Sequence, residues 1–115
     1  MLRRASKTLD LRAQLNKALQ QGQLIAALDL YELIEARKPD EPRWPHRKGD
    51  LLLRMGHKSE AALAYERAVE LYLAKGFEAR ATATAKILAT VDPSRSHPIL
   101  QNGPHSSHRG PSRQL

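Results

Sequence analysis

At 115 residues, with no cysteine and a formal charge of +7, the chain has room for one domain with a small core. The missing cysteines exclude disulfides, thiolate metal sites and cysteine nucleophiles. Hydrophobic residues make up 41% but aromatic ones only 4%, so the apolar content comes mainly from Leu and Ala and favours helix packed on helix over strands.

Residues 1–7, with Arg3, Arg4 and Lys7, read as a flexible lead-in in which Ser6 or Thr8 could cap the first helix and Asp10 suits its dipole. This basic start lacks the continuous apolar segment and small-residue cleavage site of a targeting peptide. No stretch approaches the roughly 18 to 20 apolar residues that span a bilayer, so a soluble, cytoplasmic protein is expected. From Leu9, the apolar positions Leu11, Leu15, Ala18 and Leu19 predict a helix that stops at Gln21-Gly22. Leu24, Ala27, Leu28, Tyr31 and Ile34 predict a second, ended by Lys38-Pro39.

Pro39-Asp40-Glu41-Pro42 is a breaker, after which Pro42 or Pro45 can sit in the first turn of a third helix opened by Trp44 and running to Met55-Gly56. A fourth is expected from about Ser59, a candidate N-cap, to Lys75, with Ala61, Ala62, Tyr65, Ala68, Val69 and Tyr72 facing the core. A fifth runs over about Glu78 to Thr90, where Arg80, Thr84 and Lys86 could supply part of a polar outer face. The Pro-, Ser-, Gly- and His-rich chain over 93–115 reads as a disordered basic tail.

A period runs through these elements. Gly22 to Gly56, Ala27 to Ala61 and Tyr31 to Tyr65 are each 34 residues apart, while Gly76, Ala81, Ala85 and Leu88 repeat the offsets of Gly22, Ala27, Tyr31 and Ile34 after a step of only 20. One helix is missing from that last step, so the fourth helix must both close the second unit and open the third.

Residues 8–93 resemble tetratricopeptide repeats. In repeat one, 8–41, the matches are Gly22, Ala27, Tyr31 and Pro39, with Leu11 and Leu15 standing where a Trp and a helix-A glycine would be. In repeat two, 42–75, Gly49, Gly56, Ala61, Tyr65 and Ala68 match, Trp44 lies one position early and Leu73 replaces the closing proline. The compressed final unit, 76–92, matches at Gly76 and Ala81 and is followed by Pro93. The arrangement, including LYLAKGF and a later VDP, is also similar to the N-terminal repeat module of certain myxobacterial signalling proteins, which would make this chain a stand-alone adaptor or a truncated form of a larger protein.

The resemblance implies an all-α, right-handed solenoid of about five helices acting as a non-catalytic protein-protein interaction adaptor or scaffold. A peptide or helix of a partner would lie in the concave groove lined by the first helix of each repeat. Those positions are Leu9, Arg12, Asn16, Leu19 and Gln20 in repeat one, and Arg43, His46, Asp50, Leu53 and Arg54 in repeat two. Arg12 and Asn16 resemble half of a carboxylate clamp, but Glu66 and Glu70 in the third unit would repel a carboxylate, so a receptor for chaperone C-termini is not expected. Arginines beside Leu9, Leu19 and Leu53 suit a mixed apolar and acidic ligand.

No glycine-rich phosphate loop, HExxH or nucleophile elbow is present, and no catalytic residue, cofactor or metal site is expected. His97, His105 and His108 lack the spacing and carboxylate partners of a metal site. Basic residues before Pro93 alternate with acids, as solvated helix faces do, so nucleic acid is not the expected partner. A nucleic-acid-associated protein and a homo-oligomerisation module, such as a homodimer, stand as the alternatives.

Overall fold

The structure, a computed structural model, describes residues 7–102, with side chains from 10 to 100. Most of the expected lead-in, the side chain of Leu9, and residues 103–115 with His105 and His108 lie outside the described residues. Among the described residues the protein is entirely helical: α1 (Lys7–Gln20), α2 (Leu24–Arg37), α3 (Arg43–Arg54), α4 (Lys58–Ala74), α5 (Glu78–Val91), a 3-10 turn (Pro93–Arg95) and a short α6 (Ile99–Asn102). The principal packing partners of α1 to α5 are their neighbours in the chain, so these helices stack in sequence order.

Three turns share one geometry. Gly22, Gly56 and Gly76 have φ of 71°, 82° and 80°, the left-handed region that side chains other than glycine avoid. The next amide in each case, from Gln23, His57 and Phe77, bonds back to the carbonyl of Ala18, Leu52 and Tyr72 at 2.8, 2.9 and 2.9 Å, while the glycine amide bonds to Leu19, Leu53 and Leu73 at 3.1, 3.0 and 3.0 Å. This double bond pattern satisfies carbonyls that the helix end would otherwise leave free. No side chain caps the start of α2, α3, α4 or α5. Ser59, the candidate N-cap, lies inside α4, because the glycine turn at Gly56 sets His57 at the N-cap position.

Burial repeats with the turns. Ala27, Ala61 and Ala81, five residues after each glycine, are 0% exposed; so are Ile34, Ala68 and Leu88, twelve residues after. Tyr31, Tyr65 and Ala85 fill the intermediate position and are also buried. Alanine at the crossing lets two helices approach closely. On α3, Gly49 makes the same allowance: a Cβ there would stand 3.0 Å from Tyr65 Cδ1 and Cε1. Its use is therefore close approach rather than unusual backbone.

Helix α4 buries eight residues against three in α2, which fits its position between α3 on one side and α5 on the other. A cluster around Trp44 joins α1, α2 and α3, one around Tyr65 joins α3, α4 and α5, and a third around Val69 joins α4 and α5. On α5 the outer face is narrower than expected. Thr84 is buried at 1% exposure, its hydroxyl donating to the Arg80 carbonyl at 2.8 Å, while Lys86 is exposed.

Beyond residue 92 the described chain continues through the 3-10 turn into α6, with helical backbone as far as Asn102. The Ser94 hydroxyl donates to Asp92 at 2.6 Å and is the foremost influence holding that carboxyl below its usual range. Arg95 then reaches Glu66 at 3.2 Å and Asp92 at 3.2 Å. His97 accepts the Ile99 amide at Nδ1 (3.1 Å), so its proton sits on Nε2, 2.8 Å from Glu70. Ile99 and Leu100 cover the cluster that includes Val69, Tyr72, Ala81 and Ala85. Only two apolar residues direct this fold-back, and the surface they seek is made by α4 and α5 together.

Candidate functional site

Trp44 is the centre of a cluster of arginines. It sits in the first turn of α3, is 2% exposed, and donates its indole N–H to Glu41 at 3.0 Å. Tyr31 of α2 packs on it with ring centroids 6.4 Å apart. Three guanidinium groups cover the remainder: Arg12 from α1 and Arg43 and Arg47 from α3 have Cζ at 5.3, 5.3 and 5.7 Å from the ring centroid. Each is attracted by the negative face of the indole, an effect of about 0.5–2 kcal/mol per pair depending on solvent access. The sole neutralising ion pair described for the three is Arg43 Nε to Glu41 at 3.4 Å.

The tyrosines show which other charges share this side. Burial is the foremost reason that the Tyr31 and Tyr72 hydroxyls titrate above their ordinary value. Arg47 and Arg54 oppose the shift at Tyr31, and Arg80 and Arg47 oppose it at Tyr72. Arg80, expected on the outer face of the last helix, is exposed and also lines a cleft of about 490 Å3 with Glu41, Pro42, Arg43, Tyr72, Lys75 and Phe77. Its guanidinium lies 5.2 Å from the Phe77 ring centroid. The face thus joins α1, α3, the α4–α5 turn and the start of α5.

The ten candidate groove residues separate into distinct environments. Arg12 and Arg43 meet on Trp44, and Arg54 acts electrostatically on the neighbouring Tyr31. His46 Nδ1 lies 2.9 Å from the Tyr72 hydroxyl, and its ring meets Tyr65 and Tyr72 edge-on at 5.9 Å. Asp50 accepts the Tyr65 hydroxyl at 2.6 Å, which together with the larger effect of burial raises the Tyr65 pKa steeply. Both side chains therefore fasten α3 to α4. Leu19 and Leu53 are half-buried at the edges of the core, Asn16 and Gln20 are exposed, and Leu9 lies in α1.

Glu66 and Glu70 do not line the cleft; they face the fold-back segment as partners of Arg95 and His97. Arg47, Lys75, Phe77 and Arg80 are additions to the expected groove. Arg47 was within reach of sequence reasoning, since it stands one helical turn after Arg43. No His, Cys, Asp or Glu cluster suited to a metal ion occurs among the described residues, nor is any described helix long and apolar enough to cross a membrane.

A separate groove between α2 and α4 is lined by Leu28, Glu32, Glu35, Glu60, Leu63 and Arg67, with Lys48 bonded to Glu35 at 2.7 Å. Its charges largely cancel. Compared with known protein families and with curated proteins, the chain matches none.

Proposed function

We propose that the chain is a tetratricopeptide-like α-solenoid that acts as a non-catalytic adaptor, docking an acidic and apolar peptide or helix of a partner protein on the arginine face. The gathering of Arg12, Arg43 and Arg47 on Trp44 carries this reading. Like charges held together repel one another unless an anion is supplied, and among the described residues one carboxylate, Glu41, stands within ion-pair distance of the three, with Asp50 acting on the neighbouring Tyr31 from further away. Support for the solenoid comes from the three equivalent glycine turns and the shared burial pattern after them. A surface of several forks and half-buried leucines selects by charge and shape, as interaction modules on repeat scaffolds do.

Peptide display on the full chain tests the proposal. Selected sequences should alternate Asp or Glu with Leu or aromatic residues, and their binding should fall at least tenfold with Arg12→Glu/Arg47→Glu. It should persist in part at about 0.5 M salt, where long-range attraction is screened. Random recovery, or binding indifferent to both changes, removes the adaptor reading. Leu63, 52% exposed beside half-buried Leu28, favours self-association across the α2/α4 groove as a second reading. Light scattering on wild type and Leu63→Lys checks it: a dimer lost with the substitution supports it and a wild-type monomer rejects it.

A further inference from the structure

Within the face just assigned to peptide docking, and resting on that assignment, we propose that the cleft between α3 and α5 is a subsite for a phosphate monoester carried on a side chain of the partner peptide. Three cations from three different elements converge on it: Arg43 from α3, Lys75 from the end of α4, and Arg80 from α5. Glu41 is the one carboxylate in the lining, and its Oε1 already accepts the Trp44 indole N–H at 3.0 Å and faces Arg43 Nε at 3.4 Å. That contact uses the inner edge of Arg43 and leaves its two terminal nitrogens available. Among the described residues no carboxylate stands within ion-pair distance of Lys75 or Arg80.

The two forks are held in place before any ligand arrives, Arg43 by the Trp44 ring at 5.3 Å and Arg80 by the Phe77 ring at 5.2 Å. Pre-organised guanidinium groups lose less freedom on binding than lysines would. Pro42 and Phe77, the N-cap residues of α3 and α5, also line the cleft, as does Lys75, the C-cap of α4, so two positive helix ends and one negative end meet there and the side-chain cations carry the attraction.

Charge and oxygen number favour phosphate over carboxylate. A carboxylate offers two oxygens and one charge, enough for a single fork. A phosphate monoester offers three terminal oxygens and about −1.5 to −2 charges at pH 7, which matches two forks and an ammonium. A volume of about 490 Å3, walled by Tyr72 and Phe77, accommodates the phosphate with the side chain that bears it. Phosphoserine and phosphotyrosine share this chemistry, and the aromatic walls give the aryl ester additional contact.

The test uses the full chain at constant ionic strength, following Trp44 emission and the Arg side-chain NMR signals during titration with phenyl phosphate, O-phosphoserine and phenylacetate. Both phosphate esters should bind saturably, at least about tenfold more tightly than phenylacetate, and more strongly as pH rises through about 6, where the second phosphate proton leaves. Arg80→Gln and Lys75→Gln, with unchanged circular dichroism, should each weaken the esters by about tenfold, the effect of one charge-assisted contact. Tighter phenyl phosphate than phosphoserine would identify phosphotyrosine as the source, and the reverse order phosphoserine. Equal binding of phenylacetate, or no effect of either substitution, overturns the phosphate subsite. If acidic peptides still dock in a manner dependent on Arg12 and Arg47 while the esters fail, only the subsite falls; if neither binds, the adaptor reading falls with it.

Discussion

Replacing Gly49 by alanine sets two opposing effects against each other. Glycine in the middle of a helix costs about 1 kcal/mol relative to alanine, so α3 considered alone should gain that amount. The added Cβ would, however, stand 3.0 Å from two atoms of the Tyr65 ring and 3.1 Å from a third. That ring cannot retreat freely: it is 1% exposed, its hydroxyl is tied to Asp50 at 2.6 Å, and His46 meets it edge-on. Overpacking of a fixed core costs about 1–3 kcal/mol, so the net result expected for Gly49→Ala is destabilisation of about 1 kcal/mol, and for the bulkier Gly49→Val about 3 kcal/mol. Urea unfolding followed by circular dichroism measures both. Tyr65→Phe releases the ring from Asp50 and should therefore recover part of the loss in the double variant, giving a measurable coupling energy between the two sites. A Gly49→Ala protein more stable than wild type by about 1 kcal/mol would refute the close-packing argument and leave propensity as the whole effect.

Alkaline conditions test the buried tyrosines: the pKa values of Tyr31, Tyr65 and Tyr72 are all raised in the folded state, so folding retains protons that the unfolded chain releases near pH 10. Stability should be undiminished by these groups below about pH 10 and should fall above it; a urea midpoint that rises between about pH 9 and 11 would contradict this. Ile99→Asp/Leu100→Asp should uncover the cluster around Val69 and cost about 2 kcal/mol, somewhat less than burying two full leucine-sized side chains, since both are half-buried. An unchanged unfolding midpoint would show that the fold-back segment contributes nothing. Arg95→Ala, by comparison, should cost no more than about 1 kcal/mol, because the pair with Glu66 is more than a third exposed.

The helical order and its turns were legible because they depend on local chemistry. Glycine at 22, 56 and 76 ends three helices for one conformational reason, and alanine five positions later marks where each following helix meets its neighbour. The short step from Gly56 to Gly76 even indicated that α4 would be packed on two sides. What was not legible depends on tertiary direction. The resemblance to the repeats placed His46 and Asp50 among groove residues, but which neighbour their polar ends would find was decided by the Tyr65 and Tyr72 hydroxyls on α4. Arg80 is exposed, as charge on a terminal helix should be, but that it shares a cleft with Arg43 depends on how α4 and α5 pack beside α3. The fold-back of 93–100 carries little apolar signal, and its docking needs a surface that exists only once α4 and α5 have packed.

The most direct measurement is a two-dimensional amide NMR titration of the full chain with an acidic, leucine-containing peptide at physiological salt. Trp44, the sole tryptophan, supplies a single indole N–H signal at the centre of the arginine face. Docking on that face should shift this signal together with the backbone amides of Arg12, Arg43, Arg47 and Lys75 to Arg80, and Arg47→Glu should abolish the shifts. Shifts confined to Leu28, Glu60 and Leu63, or none with any acidic peptide, would contradict the assignment of the arginine face as the place where this protein meets its partner.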